Sequence, residues 1–307
     1  MAEQDVDSLA YTKPLQITKT IHRDPYPSLS PDKPELSPNG KIVLVTGGGS
    51  GIGAAAAKVW AKAGAAGVVI AGRRVANLEQ VLKELRASAH AGAQVQAVPT
   101  DVTRLADVTA LFAAVQTTFG RAPDVVIHSA GYLEDAKPVG QVDPADWLNS
   151  VNINLVGTFN VAHSYIKALP NPQDPSGTFV SVSSGMAGLT IPGNSGYSIA
   201  KLGMQRLNEH LDIEYPHLRT FTISPGVVAT DMPPAAFRPY AHDHEDLTGL
   251  WALYLAQPRA DYLKGSLIGV NWDVDEVEAH KDEIESKKLL KTAWINLLPL
   301  GGGPGLA

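Results

Sequence analysis

Tyr197 and Lys201 are four positions apart, so on a helix they share a face with a rise of about 6 Å between them. That pairing can make a phenol act as both acid and base. A tyrosine ordinarily ionises near pKa ~10, and proton transfer near neutrality needs its phenolate favoured by about 4 kcal/mol. An ammonium about 5 Å away, at an effective dielectric of ~20, supplies about 3 kcal/mol of this. The same spacing also serves a packed ring beside a lysine whose amine reaches water, so the surrounding residues must decide between the two uses.

Three further groups of residues bear on that choice. Ser183 and Ser184 end the run "FVSVSS", and Ser184 lies thirteen positions before Tyr197. Asn154 borders an apolar stripe although asparagine is a poor interior helix residue, because its amide competes for backbone hydrogen bonds. Finally, "VLVTGGGSGIG" (Val43–Gly53) places glycines behind a short apolar run and ahead of a helical pattern. Glycine admits positive φ and lets an anion approach the backbone without a Cβ in the way, and the first turn of the following helix leaves amides unpaired. A strand-to-helix joint needs glycine for steric reasons as well.

These residues need a scaffold, and the chain can build one. It has 307 residues, 44% hydrophobic and 18% charged, which suits one large soluble core with extensions. A formal net charge of −6 gives no basic field for a phosphate backbone, so a nucleic-acid partner is not expected. There are no cysteines, which removes disulfides and thiolate chemistry. The first residues lack the blocks of a signal peptide and no run approaches a membrane span; a cytoplasmic protein with no membrane partner is expected.

Short aliphatic runs alternate with helical patterns from Lys41 onward, which predicts parallel strands joined by crossover helices. The strands are expected at 42–46, 68–71, 94–98, 125–128, 178–183, 220–224 and 267–270. The fold class is α/β: a doubly wound, mostly parallel seven-stranded sheet with helices on both faces. Ile52, Ala56, Val59, Trp60 and Ala63 mark one face of the helix after the glycines, and Trp147, Val151, Leu155 and Thr158 step along a later one. Residues 1–40, rich in proline from Pro14 to Pro38, predict an extended arm ahead of a catalytic domain at 41–270. Residues 271–307 read as a helical extension, with "NWDVDEVEAHKDEIESKKLLK" as one charged amphipathic helix and "PLGGGPGLA" fraying.

Taken together, the motifs resemble the short-chain dehydrogenase/reductase family over 41–270, with both ends outside the match. Thr46, Gly47, Gly49, Ser50, Gly51, Ile52 and Gly53 look like its cofactor loop. Asp101 and Val102 resemble its adenine contact, and Ser129, Ala130 and Gly131 its Asn-Ala-Gly turn, with His128 and Ser129 standing where asparagines are usual. Pro225, Gly226, Val228 and Thr230 resemble the segment that holds the nicotinamide carboxamide. The resemblance implies that Tyr197 is the acid/base, that Ser184 orients the substrate oxygen and that Lys201 depresses the tyrosine pKa and contacts the ribose. It also implies that Asn154 holds a relay water, although a plain helix-to-backbone bridge fits that asparagine as well.

Dinucleotide folds place an acid about 20 residues past the glycines to hold the ribose, or an arginine to hold a 2′-phosphate. Gly72 takes that place, followed by Arg73 and Arg74, so NADP(H) is expected over NAD(H), with Arg73 the stronger candidate. The implied function is hydride exchange between NADP(H) and a small carbonyl or alcohol. The alternatives are a non-redox cyclase, dehydratase or isomerase, or a regulatory scaffold, on the same fold.

A mobile substrate lid is expected near 231–250. His242 and His244 within it are read as solvated, and no metal is expected. Pocket specificity is assigned to the lid with Tyr132, Leu133, Met186 and Leu189. The ends look similar to fungal members of the family, some of them in secondary metabolism, and the family implies a homo-oligomer formed through the helices of Asn154 and Tyr197.

Overall fold

The computed structural model describes residues 7–90 and 92–293. Seven strands form one sheet: β1 (Ile42–Thr46), β2 (Gly67–Gly72), β3 (Gln94–Pro99), β4 (Val125–His128), β5 (Gly177–Val182), β6 (Leu218–Ser224) and β7 (Leu267–Gly269). Their order is 3-2-1-4-5-6-7 and every pairing is parallel. Parallel strands covered on both faces read as unbroken aliphatic runs, and β1 and β4 are buried along their whole length. The order reverses between β1 and β4, which opens a crevice at their carboxyl ends, the place where such sheets bind ligands.

Helices α1 (Gly51–Lys62), α2 (Val75–Ser88) and α7 (Leu247–Leu255) pack on one face, and α3 (Leu105–Phe119) and α5 (Gly157–Ala168) on the other, with α6 (Ser195–Glu214) adding Leu211 there. The alanine face of α1 allows α7 to come close: a Cβ on Gly249 would lie 2.8 Å from Ala56 Cα. All nine residues of α7 are buried. The expected lid therefore ends before Leu247, because 247–250 belong to this core helix.

Both chain ends depart from expectation. The prolines do exclude long helices and central strands from the arm, but the arm is folded onto the domain through 3₁₀ turns at Lys13–Leu15, Pro27–Leu29 and Pro34–Leu36. Leu29 and Leu36 are fully buried in the core that holds α1 and α7. The Tyr26 hydroxyl donates to Trp272 O and accepts from Val274 N, each at 3.0 Å. Burial pushes that phenol well above the usual tyrosine range.

The predicted single C-terminal helix is two, α8 (Val274–Ala279) and α9 (Lys281–Lys287), broken at His280, whose φ of −103° and ψ of 14° leave the helical region. The stretch "PLGGGPGLA" lies outside the described residues.

Candidate active site

The glycine loop follows β1 into α1. Gly47 has φ +68°, and a Cβ there would sit 2.7 Å from Ala130 N. A Cβ on Gly53 would sit 2.4 Å from Gly47 O, so these two glycines are demanded by the protein's own backbone. Gly49 is different, because a Cβ there would meet nothing closer than 3.4 Å, so the protein's own packing does not demand glycine at this point. The N-cap Ser50 makes no cap bond to α1, so the first-turn amides face the crevice uncapped. Ser50 Oγ accepts instead from Arg74 Nη2 at 2.8 Å.

Most of the predicted cofactor residues line one cleft over this loop: Gly47, Gly49, Ser50, Gly51, Ile52 and Gly53, then Arg73, Arg74, Asp101 and Val102, then Ser129, Ala130 and Gly131, with Tyr197, Lys201, Pro225 and Thr230. Asn77, Leu78, Thr100 and Glu245 also line it and were not anticipated, because no spacing pattern marks them. Asp101 Oδ1 accepts from Thr103 N at 3.0 Å and Thr103 Oγ1 at 2.8 Å, which fixes that turn. Thr46 does not reach the cleft. It is buried beneath the loop, where its hydroxyl meets His128 Nδ1 at 2.8 Å and accepts from Ala130 N at 3.4 Å. His128 is fully buried, and burial, aided by the Lys201 charge, pulls its pKa down to about 3. A neutral ring that ties β4 to β1 accounts for a histidine in place of the family's asparagine.

Two of the four predicted catalytic side chains, Asn154 and Lys201, meet above Gly131. A Cβ on this glycine would lie 3.1 Å from Asn154 Oδ1 and 3.6 Å from Lys201 Nζ. Asn154 sits in a π-helical turn, Asn152–Val156, between α4 (Pro144–Val151) and α5, so the regular stepping predicted from Trp147 to Thr158 is interrupted at the asparagine itself. Such turns recur at functional sites. Asn154 Nδ2 donates to Tyr132 O at 2.6 Å and Ser150 O at 2.8 Å, while Oδ1 accepts only a 3.3 Å bond from Tyr132 N. The backbone bridge therefore exists, and it leaves acceptor capacity on the side towards Lys201.

Lys201 Nζ donates to Val182 O at 2.8 Å and lies 5.4 Å from the Tyr197 ring centre. Ser184 Oγ accepts from Met186 N, whereas Ser183 Oγ donates to Lys201 O at 3.1 Å; of the two serines, Ser184 faces the pocket beside Tyr197. The electrostatics differ from the simple pair expected. Burial pushes the Tyr197 phenol up to about 12, opposed by its hydrogen bond to Ser184 and reinforced by Glu134. Burial likewise pulls Lys201 down to about 7. Each charged form is penalised by loss of water, so the ammonium alone does not depress the tyrosine.

Glu134 escaped the sequence reading, since a lone acid in a loop carries no spacing signal. It is buried, and its Oε1 accepts from Tyr197 N at 3.0 Å. It thus caps the first turn of α6, where Asn194 makes no side-chain cap.

A second pocket adjoins the cleft, and Tyr197 lines both. Ser184, Gly226 and Val228 line this second pocket and not the cleft; Met186 and Leu189 do the same, and Leu133 lines both. Tyr132 does not: it lines the cofactor cleft, and its hydroxyl donates to Asp146 Oδ1 at 2.6 Å. Where the lid is expected, near 231–250, the chain forms a 3₁₀ segment, Ala235–Tyr240. His242 and His244 are exposed, and among the described residues no cluster could hold a metal ion. No described helix is long and apolar enough to cross a membrane.

Residues 41–240 match the family model described as short chain dehydrogenase. A short chain dehydrogenase of Monascus purpureus is 32% identical over 286 residues, covering 91% of this chain and 96% of that one. One from Aspergillus terreus is also 32% identical, covering 88% of this chain and 60% of its own longer one. Among solved structures, a short-chain dehydrogenase/reductase from Mycobacterium ulcerans superposes with a TM-score of 0.70 at 28% identity, covering 76% of this chain and 89% of that one. A Shigella flexneri structure complexed with NADP does so at 0.70 and 27% identity, over 78% and 99%. The chain belongs to the short-chain dehydrogenase family.

Proposed function

We propose that this chain interconverts a ketone or aldehyde with the corresponding alcohol, using NADP(H), with Tyr197 as general acid and base. One observation carries the reading: the Tyr197 side chain stands on the wall shared by the dinucleotide-type cleft and the apolar pocket, where a proton and a hydride can reach the same carbonyl. The bare backbone at Gly49 and the uncapped amides of α1 suit a pyrophosphate, and the two guanidinium groups suit a ribose phosphate. When bound, the cofactor supplies the hydride.

In reduction, Tyr197 Oη donates a proton to the carbonyl oxygen, which Ser184 Oγ holds. Lys201 replenishes the tyrosine's proton, and Asn154 Oδ1 orients a water that replenishes the lysine. In oxidation the proton runs the other way. The test is NADPH absorbance against a panel of ketones and aldehydes; product formed without cofactor turnover would instead indicate a non-redox activity.

Arg74 reaches the glycine loop, and Arg73 has no ion pair among the described residues. Both guanidinium groups line the cleft, which supports a 2′-phosphate held by the two together. Replacing both with alanine is expected to lower kcat/KM for NADPH about 30-fold relative to NADH, the scale of losing a charge-assisted contact to phosphate. Parallel steady-state measurements with the two cofactors check this.

We also propose self-association through α5 and α6, where Phe159, Ile199 and Leu202 are exposed apolar residues at 49%, 54% and 41%. Exposed large apolar side chains on these two helices suit a partner surface. Phe159→Glu combined with Leu202→Glu is expected to reduce the sedimenting mass to that of one chain.

A further inference from the structure

The two walls of the second pocket come from opposite ends of the chain. One is the lid with the loop after β6. The other is the N-terminal arm: Tyr11, Thr12, Leu15 and Gln16 all line the pocket. Leu15 comes close to the reacting centre, since a Cβ on Gly185, the neighbour of Ser184, would lie 2.7 Å from Leu15 Cδ1. Tyr11 meets the lid by ring contacts, with Phe237 at 5.2 Å and Tyr240 edge-on at 4.8 Å between ring centres.

The arm is held in this position by bonds to residues far along the chain. Trp272 Nε1 donates to Leu15 O at 2.8 Å, and Asp273 N to Thr18 Oγ1 at 3.1 Å. The Glu276 carboxylate accepts from Lys19 N at 2.7 Å and Thr20 N at 3.0 Å. His22 N donates to Asn271 O at 2.9 Å, and Asn271 Nδ2 returns a bond of 2.9 Å to His22 O. A segment fixed at so many points is a built wall of the pocket.

The lining has a definite chemistry. Among the described residues, none that faces this pocket is an aspartate, glutamate, lysine, arginine or histidine. Its polar side chains are all neutral, Ser184, Tyr197 and Asn271 on one side and Thr12 and Gln16 on the arm, while Leu15, Met186, Leu189 and Phe237 supply an apolar surface. An ionised substituent entering this space would lose its water and find no counter-charge, whereas an apolar one gains by burial.

We infer that arm residues 11–16 form a specificity wall, with Leu15 at its centre, and that the pocket selects uncharged, apolar ketones, aldehydes or alcohols. The inference rests on the function proposed above for the same site.

The test compares two ketones of similar shape, 4-methylacetophenone and 4-acetylbenzoate, with the full chain and with Leu15→Ala and Leu15→Lys. Binding is measured by calorimetry in saturating NADP, and kcat/KM is measured with NADPH. Wild type is expected to bind the methyl ketone at least ~100-fold more tightly than the carboxylate. Leu15→Ala should weaken the methyl ketone about 10-fold, and Leu15→Lys should erode the preference by ~10-fold or more. Affinity for NADP and the thermal midpoint should change little in Leu15→Ala, which separates this effect from misfolding.

Equal binding of the two ketones, binding of neither, or Leu15 variants that match wild type would overturn the inference. Preferential, Leu15-dependent binding without any reduction would leave the wall standing and sink the proposed reaction. Reduction that ignores the substituent and Leu15 would do the reverse.

Discussion

Tyr197→Phe is expected to lower kcat/KM for carbonyl reduction by about 10³-fold, within the range that positioned proton transfer contributes, while leaving the fold and NADP affinity intact. The hydroxyl is the only atom lost. The ring stays packed on α6, and the Glu134 bond to its backbone amide at 3.0 Å is untouched. The wild-type pH dependence should follow the same group. Burial pushes the phenol up to about 12, so it is the resident form at neutral pH. Reduction, which uses the phenol, should fall as pH rises toward that value; oxidation, which needs the phenolate, should climb over the same range. In the phenylalanine variant both slopes should vanish with the rate. Turnover within tenfold of wild type, or an unchanged pH profile, would remove Tyr197 from the mechanism.

The fold was legible in the sequence because its strands are buried on both faces. Ile42–Thr46 and Val125–His128 agree with expectation residue for residue, since each is an unbroken aliphatic run whose only polar residue, Thr46 or His128, comes last. The glycine loop was legible for a related reason: a positive φ at Gly47, and backbone that a Cβ would approach within 3 Å at both Gly47 and Gly53, leave glycine little alternative. The arm was not. Its prolines disclose what it cannot be, but its partners Trp272 and Glu276 lie more than 250 positions away, with separations of 257 residues for Leu15–Trp272 and 256 for Thr20–Glu276. No local pattern encodes such contacts. Tyr132 shows the limit inside the site. Sequence assigns it to the substrate pocket with Leu133, but its hydroxyl turns to Asp146 and it lines only the cleft, whereas Leu133 lines both the cleft and the second pocket. The balance of charge at Tyr197 and Lys201 was also hidden, because spacing gives their attraction whereas only the fold gives the loss of water that opposes it.

Asp243→Ala is expected to cost about 3–5 kcal/mol of unfolding free energy, the scale of stripping one partner from a buried ion pair. The Asp243 side chain is fully buried. Its Oδ1 accepts from Arg23 Nε at 2.6 Å and Asn271 Nδ2 at 2.9 Å, and its Oδ2 accepts from Val227 N at 2.6 Å. Three elements meet on one carboxylate: the arm through Arg23, the end of β7 through Asn271, and the turn after β6 through Val227. Arg23 also donates from Nη2 to Tyr240 O at 2.8 Å, and His244 N donates to Arg23 O at 2.7 Å, so the end of the 3₁₀ segment and the loop after it are bound into the same junction. Alanine would leave a mostly buried guanidinium, a backbone amide and a side-chain amide without their acceptor. Because Gly226 has φ +74° and lies against the carboxylate, the turn beside the proposed nicotinamide end should loosen too, raising KM for carbonyl substrates more than it lowers kcat. Urea unfolding of Asp243→Ala, Arg23→Ala and the double variant resolves the pair. The double variant should be less destabilised than the sum of the singles, since removing both charges leaves neither one stranded. Strict additivity, or a loss below about 1 kcal/mol for Asp243→Ala, would mean that the arm, lid and β6 turn are held by their apolar contacts and not by this charge.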